Sequence, residues 1–119
     1  MRFLALLLLF TLGSSFAAAS PSEDELARQS ESSGALIAMA HFCKVPANEV
    51  RSLAAKLTQE TLLAAEGNTF NFDAEAFAQY VMSGIRSTQG ILALVPDSGS
   101  GYESNCEEVR EKITAAMAR

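Results

Sequence analysis

His41 and Cys43, two positions apart in the stretch MAHFCKV, and Cys106 further on are the residues whose types could do chemistry. Histidine beside cysteine can hold zinc or activate a thiolate. Zinc, however, needs three or four protein ligands, and this chain has one histidine and two cysteines, with no CxxC, His-x-x-x-His or Glu-x-x-His spacing. Side chains two apart on a helix do not face each other, so His41 and Cys43 make a poor nucleophile–base pair. No Gly-x-Ser-x-Gly elbow supplies another nucleophile. The acids Glu23, Asp24, Glu25, Glu107 and Glu108 fall where first helical turns are expected, and the helix dipole accounts for them there. The segment from Asp97 to Glu103 lacks the alternating oxygen ligands of a calcium loop, and Gly99, Ser100 and Gly101 come without the lysine of a phosphate loop. The expectation is a protein with no catalytic residues, metal or cofactor, and a histidine partly buried near a structural disulfide.

That disulfide follows from compartment. The chain opens MRFLALLLLFTLGSSFAAAS, with Arg2 before an apolar run of roughly ten residues and small residues at Ala17 and Ala19. Such a run is too short to span a bilayer, which takes about 20 residues. It reads as a signal peptide over 1–19, giving an exported protein, periplasmic or secreted, without a stable membrane anchor. Two cysteines in an exported chain predict one bond, Cys43 to Cys106. Dropping Arg2 from the nine basic residues leaves 8 against 14 acidic, a charge of −6. An acidic chain without a basic cluster argues against nucleic acid and against anionic lipid.

What remains, 20–119, is long enough for a single domain. Its signals are helical: abundant alanine, no sustained alternation, and repeated caps. Ser22 with Glu25 forms a capping box that opens a helix over about 23–43. Its first half has only Leu26 as a large apolar residue, and Gly34 should weaken it, so that half is expected to pack loosely. Val45 and Pro46 stop it, and a second helix runs over about 46–66, with Val50, Leu53, Leu57 and Thr61 on one stripe, to Gly67 and Asn68. Asp73 caps a third helix over about 74–94, with Phe72 placed to pack on Phe77. Ser104 with Glu107 reads as a capping box for a fourth helix over about 105–117, striped by Cys106, Val109, Ile113 and Ala116. In an up-down bundle, Cys43 at the end of the first helix meets Cys106 at the start of the fourth. The fold expected is all-α: a small up-down four-helix bundle closed by one disulfide.

The third helix has Arg86 as the single charge in AFAQYVMSGIRSTQGILALV. A bundle helix shows one side to water, so Tyr80, Met82, Ile91 and Leu94 cannot all be core. They are the candidate partner-binding residues, with the null that the first helix covers them. Gly84 and Gly90 would admit the close approach of another backbone. The leading function class is an exported, acidic, non-catalytic protein-interaction module. It would be an inhibitor, an immunity-type or accessory factor, or a homodimer, acting on a protein partner whose identity the sequence does not carry. In plan the chain resembles the small periplasmic acid chaperones: short, exported and helical with one internal disulfide. It departs from them in cysteine spacing and in lacking a lysine-rich tail. That resemblance implies holdase activity in acid. A third class is a carrier of a small apolar ligand between the first and third helices, lined by Leu36, Phe42, Phe77 and Ile85.

Overall fold

The structure is a computed structural model and describes residues 21–68 and 70–119; the expected signal peptide lies outside them. Four helices follow one another: α1 (Glu23–Phe42), α2 (Ala47–Ala65), α3 (Ala74–Leu92) and α4 (Ser100–Ala118). Local chemistry sets most of their ends. Ser22 accepts from the amide of Glu25 at 3.1 Å, and the Glu25 carboxylate accepts from the Ser22 amide at 2.8 Å, so two donors at the start of α1 are satisfied reciprocally. Asp73 caps α3 through the Ala76 amide at 3.0 Å. Phe72, expected on Phe77, instead stacks on Tyr80, with ring centroids 6.1 Å apart. Phe77 points the other way and is buried.

The end of α1 is a Schellman turn. The Val45 amide donates to the Ala40 carbonyl and the Lys44 amide to the His41 carbonyl, each at 3.0 Å. Lys44 occupies the left-handed position with φ of 61°, where glycine is usual. Its ammonium lies 5.6 Å from the centre of the Tyr102 ring, a cation–π contact that offsets part of the backbone strain. Pro46 then opens α2.

Tyr102 also explains the largest boundary error. The fourth helix starts at Ser100, not near 105, and Ser104 is an interior residue. The Tyr102 hydroxyl donates to the Phe42 carbonyl at 3.0 Å, and its ring meets Phe42 edge-on at 5.3 Å. These contacts hold an extra turn in place, with Gly99 at φ of 96° making the bend before it. The expected capping box loses to a tertiary anchor.

Helix α1 is the centre of the molecule and touches the other three. Residue pairings fix the directions. Glu31 meets Gly84 and Ser83 while Ala38 and His41 lie near Gln89 and Leu92, so α1 and α3 run parallel. Gln29 reaches Thr61 while Ile37 packs near Leu53 and Leu57, so α2 runs back along α1. Cys43 bonds Cys106 while Leu36 packs near Ile113, so α4 runs back too. The most extensive contact is between α1 and α3, and the backbones of α3 and α4 stay apart. A square up-down bundle would put α1 and α3 on a diagonal. Here they are the tightest neighbours.

Glycine makes that possible. A Cβ built on Gly34 would lie 2.1 Å from the Val81 carbonyl oxygen, and one built on Gly84 would lie 2.1 Å from the Glu31 oxygen. The two backbones are therefore in direct contact, closer than the usual 8–10 Å separation of helix axes that side chains impose. Contrary to the loose packing expected of it, the first half of α1 buries Leu26, Ser30, Ser33 and Gly34. The buried serines stay satisfied by bonding back along their own helix, Ser30 to the Leu26 carbonyl at 2.7 Å and Ser33 to that of Gln29 at 3.1 Å. No buried polar side-chain atom among the described residues lacks a partner.

Gly34→Ala and Gly84→Ala should each destabilise the protein by about 3 kcal/mol, at the upper end of overpacking costs, because the obstacle is backbone and cannot rotate away. Gly90→Ala, where a Cβ meets nothing within 4 Å, should instead stabilise it by about 0.5–1 kcal/mol through helix propensity. Urea unfolding of the three variants checks both signs.

Candidate functional site

Cys43 and Cys106 are bonded, with Cα atoms 5.5 Å apart, and no described cysteine is free. The bond sits in a small core with Val109, flanked by Leu36, Met39, Phe42, Val45, Tyr102 and Ile113. A second core joins Leu53 and Leu57 of α2 to Ala116 of α4. With both sulfurs in the bond and nearly buried, neither is a nucleophile or a metal ligand. Among the described residues, no three His, Cys, Asp or Glu side chains gather to hold a metal ion.

His41 is exposed, not partly buried. It lies on the edge of α1 away from the disulfide, since residues two apart diverge by about 200° around a helix. It lines an open groove of about 490 Å³ with Lys44, Val45, Ala47, Val50 and Arg51. That groove contains no acid to orient the imidazole and no hydroxyl or thiol for it to activate.

The four nominated surface residues split between two sides of α3. Tyr80 is half-buried on Phe72. Ile91 and Leu94 are 65% and 88% exposed and neighbour one another across one turn. Met82, 44% exposed, is about two and a half turns before Ile91 and so points to the opposite side. The null that α1 covers these residues holds for neither group; α1 covers Phe77, Val81 and Gly84 instead.

A recess that the sequence did not disclose lies near the end of α3, and Ile91 and Leu94 are not among the residues that line it. The backbones of α3 and α4 stay apart, with no Cα pair within 8 Å, and a groove of about 200 Å³ opens between the end of α3 and the middle of α4. Met39, Phe42, Leu92, Val95 and Val109 give it an apolar lining, and Asn105, Glu108 and Lys112 rim it on the α4 side. Its floor includes Cys43, so the disulfide fixes the wall that α4 provides. The signal available in sequence was the excess of apolar residues just before Pro96; the gap itself depends on which helices are neighbours.

The residues proposed for a ligand pocket between α1 and α3 do not gather around one. Leu36 packs towards α2 and α4, Phe42 towards Tyr102, and Phe77 is buried. At the crossing itself the backbones leave no room. No helix among the described residues is long and apolar enough to cross a membrane.

Three charged side chains are perturbed by their hydrogen bonds: Glu25, Glu60 and Arg119. Hydrogen bonds from the Ser22 backbone and side chain hold the Glu25 carboxyl below the usual glutamate range. Arg119 does the same for Glu60 through a hydrogen-bonded fork of 2.7 and 3.0 Å, tying the end of α4 to α2, and Glu60 in turn raises the Arg119 guanidinium. Lys56 donates to the Arg119 carbonyl beside it. No protein-family model, curated protein or solved structure matches this chain.

Both carboxyls are depressed in the folded state, so their stabilisation is present above the ordinary glutamate value of about 4.3 and is lost as pH falls through the lower folded values. Glu60→Gln should lower stability at neutral pH by at most about 1 kcal/mol, as exposed pairs do. The difference from the native chain should vanish in strong acid, and melting curves from pH 7 downward read it.

Proposed function

We propose that the chain is an exported, non-catalytic interaction protein, an inhibitor, immunity-type or accessory factor built on a single up-down helical scaffold. The observation that carries the reading is the exposure of Ile91 and Leu94 at the end of α3, with a separate apolar groove opening nearby between Leu92, Val95 and α4. Two large aliphatic side chains at 65% and 88% exposure forgo burial that is worth about 1.5–3 kcal/mol each. A contiguous apolar surface rimmed by polar groups commonly marks a protein contact.

The groove fits the apolar edge of a partner helix. Its walls come from the end of α3 and from α4, and its rim offers both a carboxylate, Glu108, and an ammonium, Lys112, for orientation. Helix-in-groove recognition uses anchors at three- and four-residue spacing, which such walls accept. The disulfide keeps α4 registered on α1 at the point where the groove forms, so partner binding need not order that wall. Export supports the reading from the sequence side: the leader-like start and the paired cysteines belong to an oxidising compartment.

The test is capture by the mature, oxidised chain from its native envelope and culture fractions, followed by crosslink mapping on the identified partner. The native chain should retain a partner crosslinked to the end of α3 and to α4. Ile91→Glu with Leu94→Glu should reduce that affinity at least tenfold while leaving helical content and melting temperature unchanged. Retention of the same partner by the double variant would sink the proposal.

A further inference from the structure

The opposite side of α3 carries a second surface, independent of Ile91, Leu94 and the groove near them. Helix α3 contains two charged residues, Glu75 and Arg86, and both are exposed. They lie about three turns apart, which brings them to the same azimuth within about 20°. Neither has a charged neighbour three or four positions away on its own helix, and neither joins an ion pair among the described residues. Between them on that side are exposed Ala78, Gln79, Met82 and Ser83, with Met82 44% open. The arrangement is a strip of uncharged side chains, two apolar and two polar, with a negative end and a positive end.

We infer that this face binds a second copy of the chain, with the two α3 helices antiparallel about a two-fold axis passing between Tyr80 and Val81. An axis there sets Glu75 of each copy opposite Arg86 of the other. The same axis lays Met82 of each copy level with Gln79 and near Ala78 of the other, so a long apolar side chain meets an uncharged amide and a small methyl. A two-fold contact must be self-complementary, because each residue pairing occurs twice. One charge of each sign, equally far from the axis, satisfies that requirement, whereas two like charges or a single unbalanced one would oppose it. Two chains each carrying a charge of about −6 repel at most orientations. Along this face the charge sums to zero. A single helix pair is smaller than a standard stable interface, so the dimer is a weak one that forms at high concentration.

The experiment is sedimentation equilibrium of the oxidised chain at low salt, over about 10 μM to 1 mM. The native chain should self-associate, and Met82→Glu should abolish this. E75R and R86E should each weaken association at least tenfold, because each replaces two attractions with two repulsions. An equimolar mixture of E75R and R86E should recover it, since a mixed pair again places opposite charges face to face, and the E75R/R86E double variant should recover it alone. Circular dichroism of each variant reports whether α3 is intact. A native chain monomeric throughout the range, or a mixture no more associated than its components, would overturn the proposal. The I91E/L94E variant should dimerise like the native chain, so loss of heterologous binding and loss of self-association are separately readable.

Discussion

Where α1 crosses α3, each helix presents a hydrogen atom in place of a side chain to the carbonyl oxygens of the other. The positions a Cβ would take at residues 34 and 84 lie 2.1 Å from those oxygens. Contact that close permits Cα–H to carbonyl approach and packs atoms that ordinary helix pairs hold apart. It also removes conformational choice. Once α3 is seated against α1 by its Gly84 face, it keeps only a small contact with α2, and α4 packs on α1 and α2 instead. The separation of the α3 and α4 backbones, the groove between them, and the exposure of Ile91, Leu94 and Met82 follow from this one crossing.

Helix α4 then depends on few contacts. Its buried residues are Cys106, Val109 and Ala116. It is held near its start by the disulfide and by Tyr102 on Phe42, and at its end by Arg119 on Glu60. In the loop-entropy picture, closing a loop of 63 residues restricts the unfolded chain by ~4 kcal/mol. An exposed ion pair contributes at most about 1 kcal/mol. The covalent link is therefore the stronger tether, and it acts at the wall of the candidate groove. Stability and surface presentation share a residue, Cys43.

Two open faces of α3 carry the proposed reading, in a chain whose cysteines are bonded and whose histidine is exposed. The faces differ in character. The one beside α4 is concave and bounded by a second helix, which suits a heterologous segment. The one bearing Met82 is convex and electrostatically balanced, which suits an identical helix. Placing them on opposite sides of one helix lets both be occupied together.

Much of the local structure was legible from residue order. The capping box of Ser22 and Glu25, the Asp73 cap and the stop at Val45 and Pro46 are interactions among residues within a few positions, so their energies do not depend on the rest of the fold. The pairing of Cys43 with Cys106 followed from there being two cysteines and a leader-like start. Gly34 was misread, because propensity treats glycine as a local weakness and cannot weigh what its missing side chain admits from another helix. The Ser104 box was overridden by Tyr102, whose partner Phe42 is distant in sequence. Of the residues nominated as surplus to one core, Met82, Ile91 and Leu94 are exposed and Tyr80 is half-buried on Phe72, and only the fold divided them between two faces. Sequence alone determined that four helices would form and where most would stop, through short-range hydrogen bonds and periodicity. Tertiary structure alone decided which helices became neighbours, because that choice rests on the fit of two distant glycines against each other's backbone.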